Sequence, residues 1–187
     1  MHFNIKRRLI YLAFGASAFL IAYSAGAAIT MSKKEAEDLK GQFAKQIVGI
    51  DEKGIFINNV KIALGMFIPA VGTGLGIFSG FSTGMVFSAM VKASPLNNIP
   101  PLIILLTPFG IMEVFAYGLA MSRSGMIIYQ LVKKKPWREY VIPTLIEIGI
   151  VTLIEIGIVI VVLFTAAIIE WQLIEQFGRL NISRPNI

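Results

Sequence analysis

Residues 141–171 read VIPTLIEIGIVTLIEIGIVIVVLFTAAIIEW. Within this stretch only Glu147, Glu155 and Glu170 carry charge. A bilayer core takes roughly 20 helical residues to cross, so the stretch reads as a transmembrane helix. It contains a tandem octapeptide, because residues 144–151 and 152–159 are both TLIEIGIV. At about 100° per residue an eight-residue step drifts by about 80°. Even so, Thr144, Glu147, Thr152, Glu155, Thr165 and Glu170 fall within an arc of roughly 140°. Gly149 and Gly157 lie outside that arc. The helix therefore carries one polar face along an otherwise apolar surface.

Working outward, Lys133-Lys134-Lys135-Pro136-Trp137-Arg138 precedes this helix, and another apolar stretch, 99–131, precedes that cluster. Its start carries Pro100, Pro101 and Pro108, so the span is read as 101–131. Before it, 56–91 is apolar but broken by Pro69, Gly72, Gly74, Gly76, Gly80 and Gly84. Residues 9–30 form the first apolar run, behind Lys6, Arg7 and Arg8. Ser24-Ala25-Gly26-Ala27 would suit a signal-peptide cleavage point, but the run is read as a retained anchor. Segment 32–50 differs. Ser32 with Glu35 three residues on makes a capping box. Ala36, Leu39, Phe43, Ile47 and Ile50 recur at helical spacing. An amphipathic helix at the interface is expected there, burying Leu39, Phe43 and Ile47 against lipid or a partner.

Basic clusters mark the cytoplasmic side of a membrane protein. Lys6-Arg7-Arg8 and the 133–138 cluster should then share a side, with an even number of crossings between them. Splitting 56–91 at Gly72-Thr73-Gly74 supplies the parity. A re-entrant hairpin near the prolines would supply it too. The expected fold is an all-α transmembrane bundle of about five spans in the cytoplasmic membrane, N-terminus inside, with 139–171 as the last span.

Composition agrees. Of the 187 residues 56% are apolar and 15% charged, and the mean hydropathy is +0.74. A soluble domain carries about 25% charged residues. The net charge of +6 sits in clusters flanking apolar runs, which is a topology signal and not a nucleic-acid patch. Cysteine is absent and the single histidine is His2. Thiolate chemistry, a catalytic triad and a multi-histidine metal site are therefore excluded. No phosphate loop, dinucleotide fingerprint or nucleophile elbow is found. No cofactor and no catalytic residue is expected.

Phe56-Ile57-Asn58-Asn59 is followed by Ala63 and by Gly65, Gly72, Gly76 and Gly84. Pro108-Phe109-Gly110-Ile111-Met112-Glu113 comes next, then Ala120 and Ser124-Gly125. In order and spacing these blocks resemble the stage II sporulation protein M family over about 56–131. There the first block reads F-x-N-N and the second H-G-I-x-E. The family's histidine is Phe109 here, so no role resting on that imidazole carries over. The family's founding member is a polytopic component of a morphogenetic assembly. The resemblance thus implies a scaffold or partner-recruiting role, by analogy alone.

On their own chemistry, glycines three to four apart let helix backbones approach closely in lipid. Asn58 and Asn59 can cap a span and hydrogen-bond a neighbouring helix. Exposed backbone at Gly72–Gly76 lining a passage is the other reading of that break. Glu113, Glu147 and Glu155 are costly at membrane depth, so each should face protein and find a partner. Glu113, Tyr117, Ala120 and Ser124 share a face of their helix. Counting residues outward from Lys135 places Arg123 level with Glu147, and Glu113 level with Glu155. An Arg123–Glu147 pair is expected, and a shared proton if Glu113 meets Glu155. A metal on paired glutamates is set aside for lack of a histidine.

Two classes of function follow. One is a non-catalytic subunit packing against lipid and other integral membrane subunits, in an envelope morphogenetic complex or a multi-subunit membrane enzyme. The other is a small transporter or proton- or cation-conducting protein using buried glutamates. Satisfied, dry glutamates favour the first; a polar cavity reaching them favours the second.

Overall fold

A computed structural model describes the backbone of residues 5–47, 51–93, 100–133 and 137–182, and outside its turns it is helical. The helices are α1 (Ile5–Ala27), α2 (Lys33–Ile47), α3 (Glu52–Met66), α4 (Val71–Lys92), α5 (Pro108–Lys133) and α6 (Trp137–Ile182), with a 3-10 helix at Pro101–Leu106. Among the described residues four helices are long and apolar enough to cross a membrane: α1, α4, α5 and the 148–176 part of α6. The all-α transmembrane bundle expected from sequence is therefore the observed fold.

Several boundaries move. The first helix starts at Ile5, so Lys6, Arg7 and Arg8 lie inside it and do not precede it. The break in 56–91 falls at residues 67–70, not at Gly72-Thr73-Gly74. Pro69 has no amide hydrogen to continue a helix, and Ala70 has φ of 68°. Gly72 lies in the first turn of α4 and packs into the bend, where a Cβ would stand 1.9 Å from the Met66 carbonyl oxygen. The three prolines divide the next stretch. Pro101 opens the 3-10 helix and Pro108 opens α5. The Thr107 hydroxyl accepts the Gly110 amide at 3.1 Å, capping α5. Proline at the first helical position loses no intrahelical bond. The last helix runs on to Ile182, for 46 residues, well beyond the roughly 20 that a bilayer core requires.

Cross-helix contacts set the directions. Cβ atoms built at Gly80 and Gly84 of α4 would meet Phe19 and Tyr23 of α1, so α1 and α4 run parallel. Arg8 bonds Ser122 while Phe19 stacks near Tyr117, so α5 runs the other way. Asn59 reaches Glu113 and Ser124 reaches the Ile68 carbonyl, which makes α3 parallel to α5. Arg123 pairs with Glu155 while Phe56 of α3 meets Phe164 of α6, and α6 runs with α1 and α4. The sense alternates α1, α3, α4, α5, α6, an arrangement of about five crossings. Its fifth member, α3, has 15 residues, about 22 Å of helix. The Arg8 end of α1 and the Lys133 end of α5 lie at the same end of the bundle.

Helix α5 is central. Ala116, Tyr117, Ala120 and Met121 form its buried face, against Phe19, Met66 and Leu163. Gly72, Gly76, Gly80 and Gly84 are the buried stripe of α4. At Gly84 a Cβ would lie 2.0 Å from the Tyr23 carbonyl oxygen. At Gly26 it would lie 1.9 Å from that of Phe81. Backbone-to-backbone approach of this kind is what small residues permit between helices in lipid.

Helix α2 carries the expected capping box. The Ser32 amide donates to Glu35 Oε2 at 2.7 Å, and the Glu35 amide donates to Ser32 Oγ at 3.3 Å. Ala36 is buried with Met31 and Ala89, and Leu39 packs beside them. The helix thus docks on the C-terminal end of α4. Phe43 is half-buried. The Ile47 side chain and residues 48–50, including Ile50, lie outside the described residues, as does His2.

Candidate functional site

Two polar centres lie inside the bundle, one towards each end. The first joins α1, α5 and α6. Glu155 is 5% exposed, Arg8 7% and Arg123 2%. Arg8 Nε donates to Glu155 Oε1 at 2.6 Å, and Arg8 Nη2 donates to Oε2 at 2.8 Å. From the other side Arg123 Nε donates to Oε2 at 2.7 Å, and Arg123 Nη2 donates to Oε1. Each carboxylate oxygen thus accepts from both arginines. Arg8 further donates to Ser122 Oγ at 2.8 Å and to the Leu119 carbonyl at 3.0 Å. Paired forks of this type are the strong form of charged hydrogen bond. Two guanidinium groups face one carboxylate, so the cluster keeps an excess positive charge.

This centre corrects the expected register. Arg123 pairs with Glu155, eight residues beyond Glu147, or about 12 Å further along α6. The side chains of Glu147 and Thr144 lie outside the described residues. Glu155 does not meet Glu113. Equal counting from the turn assumes that both helices leave it at one depth, whereas α6 is staggered against α5 by packing. The polar face of α6 is also used unevenly. Glu155 is buried, whereas the Thr152 and Thr165 hydroxyls bond back to carbonyls of their own helix.

Arg8 was not among the expected site residues, since its place in a basic cluster reads as a topology signal. A second signal was present. Arg8, Gly15, Phe19, Ala22 and Gly26 follow one another at steps of seven, four, three and four, and all are buried. That spacing puts Arg8 on the packed face of α1. Neighbouring Arg7 lies over the Tyr129 ring at 5.9 Å, tying the same ends of α1 and α5.

The second centre joins α3, α5 and α6. Asn59 Nδ2 donates to Glu113 Oε1 at 2.6 Å. Tyr117, one turn along α5, is 5% exposed, and its ring lies 5.2 Å from that of Phe19. Glu170 of α6 is near enough to act electrostatically on both Glu113 and Tyr117. The expected interhelical bond of Asn59 is therefore made, but neither asparagine caps a helix. Asp51 caps α3, accepting the Gly54 amide at 2.9 Å. Asn58 is exposed, and its amide lies 3.5 Å from Asn59 Oδ1.

The remaining expected residues serve packing. Ser124 is fully buried and donates to the Ile68 carbonyl in the α3–α4 bend at 2.8 Å. Gly65 and Gly76 face the Leu75 and Met121 side chains. Phe109, at the position of the resembled histidine, is buried. Among the described residues no group of three or more metal-ligating His, Cys, Asp or Glu side chains occurs.

The family model for stage II sporulation protein M matches residues 10–171. No curated protein and no solved structure matches. The match extends from α1 to α6 and contains both motif blocks, which meet in space at the Asn59–Glu113 hydrogen bond. The chain is a multi-pass membrane protein that belongs to the stage II sporulation protein M family.

Proposed function

We propose that the protein is a non-catalytic subunit or scaffold within a larger membrane assembly, set in the cytoplasmic membrane with its N-terminus inside. The host is an envelope morphogenetic complex or a multi-subunit membrane enzyme. The observation that supports this best is the saturation of Glu155. A conducting carboxylate must exchange protons or ions with water, whereas Glu155 is buried and held by two arginines from two other helices. That arrangement locks α1, α5 and α6 together and leaves long apolar faces outward for lipid and partner helices. Exposed Lys6 and Arg7 share their end of the bundle with Lys133, which suits the cytoplasmic side.

The alternative, a small transporter or proton- or cation-conducting protein, draws on Glu113, whose hydrogen-bond partner is an amide and not a cation. Native purification of a tagged chain in mild detergent distinguishes the two. A scaffold brings down other integral membrane chains in fixed ratio. Recovery of the chain alone, with ion flux in proteoliposomes that Glu113→Gln abolishes, would reverse the assignment.

A further inference from the structure

Charge is shared unequally between the two ends of the bundle. The start of α1 and the stretch from Arg123 on α5 to Glu155 on α6 belong to one end, since Arg8, Arg123 and Glu155 meet there. Residues 5–8 and 123–155 hold eight Lys or Arg against three Glu, while the rest of the chain holds nine against eight. Whatever pairs form within this end, five of the six net positive charges stay there. Part of that charge borders a hydrocarbon-facing surface. Lys6 and Arg7 are exposed, and so are Leu9 and Ile10 just beyond them and Ile128 on α5. Arg7 lies over the Tyr129 ring at 5.9 Å, which places it at the seam between α1 and α5. One turn deeper along α5, Gly125 is exposed, and a Cβ built there meets nothing within 4 Å. Arg8 Nη1 reaches Met126 Sδ at 3.5 Å, so Gly125 adjoins the same seam. At Gly118 a Cβ would strike Ala16 of α1. Gly125, part of the Ser124-Gly125 motif, has an open face instead.

We infer that this α1–α5 seam binds an anionic phospholipid, with its phosphate on Lys6 and Arg7 and one acyl chain running past Gly125. A phospholipid presents a phosphate and alkyl chains at adjoining depths. The seam presents cations and, one turn deeper, an open face among apolar side chains. Arg7 can serve both neighbours, because a ring attracts the charge of a guanidinium while a phosphate takes its N–H edge. Basic clusters at the end of a transmembrane helix select anionic headgroups by charge. A zwitterionic headgroup brings its own ammonium, which the surplus of positive charge disfavours. A soluble polyanion would make no use of Leu9, Ile10 and Ile128 beside the cations.

The full chain, purified in mild detergent and stripped of lipid, is titrated with dioleoylphosphatidylglycerol or dioleoylphosphatidylcholine while its unfolding midpoint is followed. The expected result is a saturable rise with phosphatidylglycerol and a much weaker one with phosphatidylcholine. Lys6→Gln combined with Arg7→Gln should raise the half-saturating phosphatidylglycerol concentration about tenfold. Lys33→Gln combined with Lys34→Gln makes the same charge change on exposed residues of α2 at the opposite end, and should leave that concentration unchanged. Gly125→Leu keeps every charge but fills the open face, so it should weaken phosphatidylglycerol binding too. It also decides the matter should the Lys6 and Arg7 variant fail to fold. Equal responses to the two lipids would overturn the site, as would an unchanged half-saturating concentration in either seam variant. An equal loss in the α2 variant would make net charge the cause and overturn it as well. A midpoint rise reproduced by inorganic phosphate would assign the basic side chains to a soluble anion and exclude the lipid.

Discussion

At the scale of single residues, Glu155 carries the largest consequence. Its replacement by alanine leaves two buried arginines facing each other without an anion. Breaking a buried pair in this way costs about 3–5 kcal/mol. Glu155→Ala should therefore lower the unfolding midpoint sharply in nanodiscs, and more than Arg8→Ala, which leaves Glu155 its bonds from Arg123. Equal losses in the two variants would mean that Arg123 alone does not hold the carboxylate. The glycines divide by what surrounds them. At Gly84 an added methyl meets the Tyr23 carbonyl, so Gly84→Ala should force α1 and α4 apart and lower the midpoint. At Gly157 nothing lies within 4 Å, and Gly157→Ala should stabilise α6 by up to about 1 kcal/mol through helix propensity. Paired midpoints for the two substitutions check the contrast. That Glu155 needed a partner was legible from one charge in an apolar run. Which partner was not, because Arg8 is 147 positions away and its basic neighbours account for it equally well.

At the scale of elements, α2 and the α3–α4 bend make different demands. Ser32→Ala removes the hydroxyl that accepts the Glu35 amide and should cost about 1 kcal/mol of local helix stability. Faster amide exchange confined to the first turn of α2 is the measurement. Glu35 itself is held below its ordinary range by its bonds to the Ser32 side chain and backbone, with a smaller pull from Lys92. Its folded-state pKa is depressed, so its contribution is present above the unfolded value of about 4.3 and fades as pH falls through the folded one. First-turn protection in α2 should thus fall on acidification in the wild type, and Ser32→Ala should blunt that dependence. In the bend, Ala70 occupies a positive φ that disfavours a Cβ. Ala70→Gly should raise the midpoint by a small amount or leave it level, where most loop substitutions lower it. The capping box was readable because it depends on four consecutive residues. The bend was misplaced because glycines mark both turns and close packing, and here Gly72 and Gly76 serve packing against Met66 and Met121.

At the scale of the whole molecule, antiparallel packing of α1 and α5 puts the Arg8 and Lys133 ends together. Reporter fusions at the N-terminus and within 134–136 should report the same side of the membrane, and a fusion between α1 and α2 the opposite one. Fusions at the first two positions that report opposite sides would contradict the alternating arrangement. What the sequence determined by itself was the medium and the element type. Long apolar runs, sparse charge and flanking basic clusters admit helices in a bilayer, since only a helix satisfies its own backbone there. It also determined the small-residue stripe of α4, the capped helix between the first two spans, and the motif blocks that mark the family. Only the tertiary structure decided stagger and rotation. These depend on how Phe19, Tyr117, Met121 and Leu163 interdigitate around α5, a property of several helices at once that no count along one chain contains. Stagger moved Arg123 from Glu147 to Glu155, and rotation brought Asn59 to Glu113, so the partners of the buried charges follow from packing and not from sequence spacing.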